Sequence, residues 1–522
     1  MTVSLDGGSL KPAAVARVAR QDERVEVTDS AWEAVRTSRE RVADVVAAQE
    51  PVYGLNTGFG QLVTERIPED ELERLQTNLV RSHAAGTGRE LAREEVRAMM
   101  LTRINALVKG YSGVRPVVIE YLLELLNGQV HPIVRSRGSL GASGDLAPLA
   151  HMALVLIGEG TAVVEPEDER RSGTAALEAI GLEPLDLVAK EGLALINGTQ
   201  LTVGLAALLV VDAERVIDAA DIAGGLTTEV TMGTTAACDP AIQSVRPHTG
   251  QSASARTVQS VTAGSEIVES HRNCDRVQDA YSIRCLPQVH GAVRDAIDHL
   301  REAVEVELNS ATDNPLIFSA EETDDRASGT ADVGVISGGN FHGEPLALRL
   351  DYVKNALTEL STISERRVDR MVNPNIQESH LPAFLASNSG LESGYMIAQY
   401  SAAALINENR SLGDPSTDST PVSGGQEDHV SMSAQSALNA RRVLENASRV
   451  VAVELLCGTQ ALEFVPDLSP GAGTKLAYEH IRDRVPPLET DRPLTEEIEA
   501  IEASICSGAL VDAVVEYLPS RS

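Results

Sequence analysis

Apolar residues recur along this chain at the three-to-four-residue spacing of amphipathic helices far more often than at strand alternation. The spacing predicts helices over 69–85, 92–126, 146–157, 200–222, 289–308, 344–368, 391–409 and 429–462. Several exceed the usual length of a globular helix. Long helices with small and branched apolar faces pack best as a bundle, so the fold class expected is mainly α. Strand signals are few and short, at 25–27 and 161–164. Three polar stretches, 165–173, 248–255 and 321–331, read as surface excursions. Further polar islands interrupt the helical frame at 53–60, 138–148, 197–199, 275–284, 338–345 and 423–429. Islands of this kind are loops or helix ends, where binding groups sit on a rigid scaffold.

Composition narrows the picture. Only 3% of the 522 residues are aromatic, with Trp32 the single tryptophan, so the core must be built from Ala, Leu, Val and Ile. The longest apolar stretch, 201–211, is ended by Asp212 and is too short to span a bilayer. No basic segment followed by an apolar one opens the chain, so a cytoplasmic location is expected. The cysteines, Cys238, Cys274, Cys285, Cys457 and Cys506, form no CxxC pair and read as free thiols. Net charge is −32 and only five cations are lysines. Such a surface repels nucleic acid and anionic membranes. It also suits a salt-rich cytoplasm, where counterions screen self-repulsion, so a halophilic source is expected.

The chemistry concentrates in Gly138-Ser139-Leu140-Gly141-Ala142-Ser143-Gly144-Asp145-Leu146-Ala147-Pro148-Leu149-Ala150-His151. Asp145 occupies the last glycine position of a GxSxG elbow, and no Gly-Lys-Ser/Thr follows as in a phosphate loop. A plain helix start, with Asp145 as cap and Pro148 in the first turn, is one reading. The other is backbone chemistry. The Gly144 nitrogen, unobstructed by a side chain, closes on the small Ala142 carbonyl, and Ser143 loses its hydroxyl as water. The product is a five-membered methylidene-imidazolone, an electrophile no unmodified side chain provides. The helix behind it would draw electrons from the ring.

This segment resembles the signature of the histidine and aromatic amino acid ammonia-lyases. The resemblance runs from about Tyr53 to about His429, with further blocks in the expected order. It implies a methylidene-imidazolone formed autocatalytically from Ala142-Ser143-Gly144, with no external cofactor. The fold it implies is a long central helical bundle of the histidine/phenylalanine ammonia-lyase (fumarase-aspartase-like) type. It implies one ammonia-lyase unit over 1–522, with an N-terminal part of about 1–200 carrying the base loop and electrophile. The central bundle and C-terminal helices would follow from about 200 to 522.

The same resemblance assigns roles to residues that otherwise read as structural. Tyr53, opening YGLNTGFG, becomes the base that removes a β-proton, although a free phenol has a pKa near 10 and needs help. His83, in RSHAAG, faces the substrate side chain. Asn197, in LINGTQ, otherwise a helix cap, donates its amide to the oxygen of the electrophile. Gln278, Tyr281 and Arg284, at helical spacing in HRNCDRVQDAYSIRC, bind and process the substrate. There Arg284, otherwise a buried ion-pair partner, grips the carboxylate, and Tyr281 stabilises the adduct or assists proton transfer. Phe341, in GGNFHGEP, orients the electrophile. Glu427, in SGGQEDH, otherwise a first-turn carboxylate after a Ser423–Gln426 capping box, accepts from a substrate imidazole or relays a proton. Glu392 and Tyr395 stand where many relatives carry Asn and Phe.

His83 and Glu427 together favour L-histidine, giving trans-urocanate and ammonia. A tyrosine or phenylalanine ammonia-lyase or an aminomutase with the same electrophile is the alternative. No HExxH or spaced Cys/His set points to a metal. A homotetramer with sites shared between subunits is expected from the resemblance.

Overall fold

Unbranched and small apolar side chains favour helix over strand, and the computed structural model, which describes residues 2–48, 52, 68, 71–272 and 276–518, is mainly helical. Two compact units are distinguished. One comprises Met1–Val211, Leu300–Asp351 and Asp414–Leu438; the other Asp212–His299, Tyr352–Gly413 and Asn439–Ser522. Among the described residues no helix is long and apolar enough to cross a membrane.

In the first unit a parallel strand pair, Thr2–Leu5 and Arg24–Val27, is joined by the helix Pro12–Gln21. Asp29–Ala47 follows, its first turn capped by Thr28 Oγ1, which accepts from the Ala31 N–H. This helix lays Val42 and Val45 against Ile317, Val333 and Val335 of an antiparallel sheet. Each such buried side chain stabilises by about 2 kcal/mol. A second antiparallel sheet runs Val130–Pro132, Thr161–Val164, Glu169–Ser172, with Val130 opposite Val164 and Thr161 opposite Ser172. The reading of 165–173 as a pure surface excursion therefore missed a strand. Helices Arg93–Val108, Leu146–Leu156 and Glu191–Ile196 form the interior, and the first and last are buried almost all round.

The single helix expected over 92–126 is two, Arg93–Val108 and Pro116–Asn127. Proline lacks the N–H an interior turn requires but suits a first turn, so the chain breaks before Pro116 and restarts there.

The long helices Gln200–Val230, Leu286–Leu308, Glu344–Val372 and Ser433–Leu462 give residues to both units. Within the second unit they carry a buried ionic network. Arg367 donates to both oxygens of Glu454, which also accepts from Thr227 and Ser364. His290 Nδ1 lies 2.7 Å from Asp221, and Arg294 bonds Asp221 and Asp218. These cations and hydrogen bonds outweigh burial and hold the Asp221 carboxyl down at about 2. The stretch 248–255, expected on the surface, opens the helix Thr249–Val261. Buried Gln251 donates to Gln243 Oε1, and Gly250 packs so tightly that an added Cβ would meet the Gly291 carbonyl oxygen at 2.2 Å.

Candidate active site

The loop before helix Leu146–Leu156 is held against the turn Asn197-Gly198-Thr199. Gly144 and Gly198 form an isolated parallel bridge, and the Asp145 N–H donates to the Gly198 carbonyl at 2.7 Å. Gly144 has φ +74°, and a Cβ there would stand 2.2 Å from the Gly198 oxygen. Only glycine satisfies both the left-handed backbone and this approach.

Asp145 is fully buried and does not cap the helix with its side chain. Its carboxylate instead accepts from the Thr202 N–H (2.8 Å), Thr202 Oγ1 (3.1 Å) and Ser139 Oγ (2.8 Å). Burial pushes its pKa up against the pull of those bonds. The loop is pinned from the other side as well. The Gly141 carbonyl accepts from the Gly343 N–H (2.9 Å) and Ser431 Oγ (3.0 Å), and the Met432 N–H donates to Leu140 (2.7 Å).

Ser143 sits where these restraints converge. Its carbonyl oxygen accepts from Asn197 Nδ2 at 2.8 Å, and its hydroxyl donates to Glu427 Oε1 at 3.1 Å. Both groups open onto a cavity of about 610 Å³ lined by residues of the first unit, among them His83, Ala142, Phe341 and His429. His83 Nδ1 contacts the Leu79 carbonyl at 2.8 Å. In the neutral ring that nitrogen is the donor, which leaves Nε2 as an acceptor. His342 and His429 stack face to face at 5.8 Å between centroids. The sequence reading gave neither a role in the site, and His429, expected to open a helix over 429–462, precedes the helix that starts at Ser433. Among the described residues no group of three or more His, Cys, Asp or Glu is placed to hold a metal ion.

Five expected site positions, Ala142-Ser143-Gly144, Asn197 and Glu427, are thus directly linked, and His83 and Phe341 line the same cavity. Two local readings need correction. Ser423–Gly425 is an isolated 3-10 turn, and the helix starts only at Ser433. Glu427 therefore bridges to Val422 on an irregular loop and is no first-turn carboxylate. Arg284 is exposed, not buried, and Gln278 precedes the single helical turn Tyr281–Arg284. Within the second unit Arg284 lies over the Tyr281 ring at 5.6 Å and donates to Gln278 Oε1. Tyr281 is 72% exposed. Tyr53 lies outside the described residues. Of the two departures, Tyr395 is fully buried, with its hydroxyl unpartnered and burial driving its pKa up.

The precursor tripeptide fits a ring built from its own backbone. Gly144 is free of a side chain where its neighbour is closest, Ala142 is small and buried, and an amide already addresses the Ser143 oxygen. The Ser143 hydroxyl is oriented by its hydrogen bond to the Glu427 carboxylate.

Comparison with known proteins agrees with this geometry. The family profile "Aromatic amino acid lyase" matches residues 10–483. A probable histidine ammonia-lyase of Halobacterium salinarum is 60% identical, over 99% of this chain and 98% of that protein. The crystal structure of histidine ammonia-lyase from Trypanosoma cruzi superposes with a TM-score of 0.90 at 39% identity, covering 100% of this chain and 96% of that one. Tyrosine aminomutase from Streptomyces globisporus superposes at 0.92 with 37% identity, each chain covered in full. A profile match over most of the sequence, full-length relatives and a glycine-lined turn presenting Ala142-Ser143-Gly144 converge on one conclusion: the chain belongs to the aromatic amino acid lyases.

Proposed function

We propose that this carbon–nitrogen lyase removes ammonia from L-histidine to give trans-urocanate. The observation that carries the reading is Glu427 on the Ser143 hydroxyl, in the cavity that His83 also lines. A carboxylate and a ring-nitrogen acceptor together match the two N–H groups of an imidazolium, or the single one of a neutral imidazole. Neither suits the plain ring of phenylalanine.

Family members use an autocatalytic methylidene-imidazolone and no external cofactor; built from Ala142-Ser143-Gly144, it supplies an electrophile for the substrate amine. The chain's own groups do the rest. Asn197 keeps an N–H on the Ser143 oxygen, where negative charge develops, and so lowers the barrier by preorganised electrostatics. The N-terminus of Leu146–Leu156 adds positive potential there. Phe341 packs beside the reacting centre. Tyr53 removes the β-proton, a step that needs a neighbouring donor or cation to stabilise its phenolate. Gln278, Tyr281 and Arg284 are exposed side chains already grouped together. In a homotetramer they would complete the site of a neighbouring copy, Arg284 fixing the substrate carboxylate. The enzyme works in the cytoplasm as one unit over residues 1–522.

Purified protein incubated with L-histidine, L-tyrosine and L-phenylalanine in parallel provides the test. Urocanate absorbance should rise with histidine alone. Coumarate from tyrosine or cinnamate from phenylalanine would instead favour a tyrosine or phenylalanine ammonia-lyase, and a β-amino acid would favour an aminomutase.

The surface charge carries a separate expectation. With 76 acidic against 44 basic side chains, like-charge repulsion opposes folding and added salt screens it. The thermal midpoint should fall steadily as salt is dialysed away, and a midpoint indifferent to salt would contradict a halophilic adaptation.

A further inference from the structure

The donor that serves the Ser143 oxygen stands at a fragile place. Asn197 is the C-cap of Glu191–Ile196, a helix of six residues whose final carbonyls have few partners of their own. Arg103, from the middle of the Arg93–Val108 helix, supplies them. Its Nη1 donates to the Asn197 carbonyl at 3.0 Å and to Gln200 Oε1 at 2.6 Å, and its Nη2 donates to the Ala194 carbonyl. Gln200 Nε2 continues to Thr312 Oγ1 at 2.6 Å. The guanidinium also packs on Gly198, where an added Cβ would stand 2.8 Å from Nη1.

Arg103 is fully buried, and burial pulls its pKa down to about 10. Every oxygen it meets belongs to a carbonyl or an amide, and Asp313, the nearest acid acting on it, is bound to Lys190 at 2.7 Å. Its Nε is buried without a partner. Burying this cation carries a desolvation cost that its hydrogen bonds to those oxygens offset. What it does provide is a rigid fork that fixes three oxygens at once, which lysine cannot reproduce.

We propose that Arg103 is a positioning residue for Asn197, holding the Asn197–Gln200 turn so that the Asn197 amide stays on the Ser143 oxygen and the Gly198 carbonyl on the Asp145 N–H. The proposal rests on the role given above to Asn197. Neither the contacts of Arg103 nor its burial extends to the cavity, so it acts only through that turn.

The test is a double-mutant cycle in the full-length enzyme with Arg103→Met, Arg103→Lys and Asn197→Ala. The dehydrated fraction of the peptide containing Ser143 is measured by mass, and turnover is expressed per dehydrated site. Arg103→Met should lower kcat per site about tenfold to a hundredfold, the scale of an ångström-level misplacement. KM should change little, and Arg103→Lys should fall between it and the parent. In the Asn197→Ala background the same change should have almost no further effect on kcat. Multiplicative effects, or unchanged kcat per site in both Arg103 variants, would overturn the proposal. Should Arg103→Met not fold, Arg103→Lys is read by the same cycle. Full activity in Asn197→Ala alone would instead overturn the role of Asn197, an outcome distinct from additivity.

Discussion

Ser143→Ala is expected to leave a folded protein whose turnover of L-histidine is lower by about a thousandfold or more. The hydroxyl removed donates to Glu427, and loss of that bond costs about 1 kcal/mol of stability. That is too little to unfold a chain of this size. Chemically the loss is total, because alanine has no hydroxyl to leave and no exocyclic methylidene can form. Binding and orientation by the rest of the cavity would remain, so KM should move far less than kcat. Mass spectrometry gives the companion reading: the parent peptide spanning residue 143 should lack two water masses and the variant none. Turnover retained within tenfold would refute the role given to this residue.

Asn197→Ala carries the second largest expected effect. Its Nδ2 is the donor seen on the Ser143 oxygen, and removing one donor of this type costs about a hundred- to a thousandfold in kcat. The backbone of residue 197 would still be tied to Arg103 and to Leu193, so the turn should persist and the tripeptide should still lose its waters. A variant that matures fully yet turns over slowly is the expected phenotype. One that fails to mature would move Asn197 from catalysis into ring formation.

The long helices were legible because their period persists over many turns. Their ends were less so. Gln200–Val230 runs eight residues past its expected stop at 222, through polar positions whose side chains find partners of their own. Thr228 bonds back to the Gly224 carbonyl, and Thr227 donates to Glu454. Apolar periodicity is blind to such threonines. The catalytic tripeptide stood out because small residues followed by an acid and a proline are unusual together. Its partners were harder. Asp145 has the sequence context of a cap, but Thr202, 57 positions on, claims its carboxylate. Arg103 gave no signal at all, since an arginine inside a helical pattern ordinarily reads as a solvated face. What makes it special is a set of carbonyls some ninety residues away. The exposed trio Gln278, Tyr281 and Arg284 was found by resemblance, and its spacing wrongly implied a common helical face.

The pinning of the Ala142-Ser143-Gly144 loop by Gly343 and by Ser431 and Met432 has a consequence for biosynthesis. These clamps lie about two hundred and about two hundred and ninety positions downstream of the residues they hold. A ribosome must therefore have made more than four-fifths of the polypeptide before the last of them exists. Until then the nascent segment has only its contacts with the 197–202 turn and lacks the clamps that hold its other side. The reactive group is thus born late, inside a finished enclosure, where cellular thiols and amines have little chance to consume it.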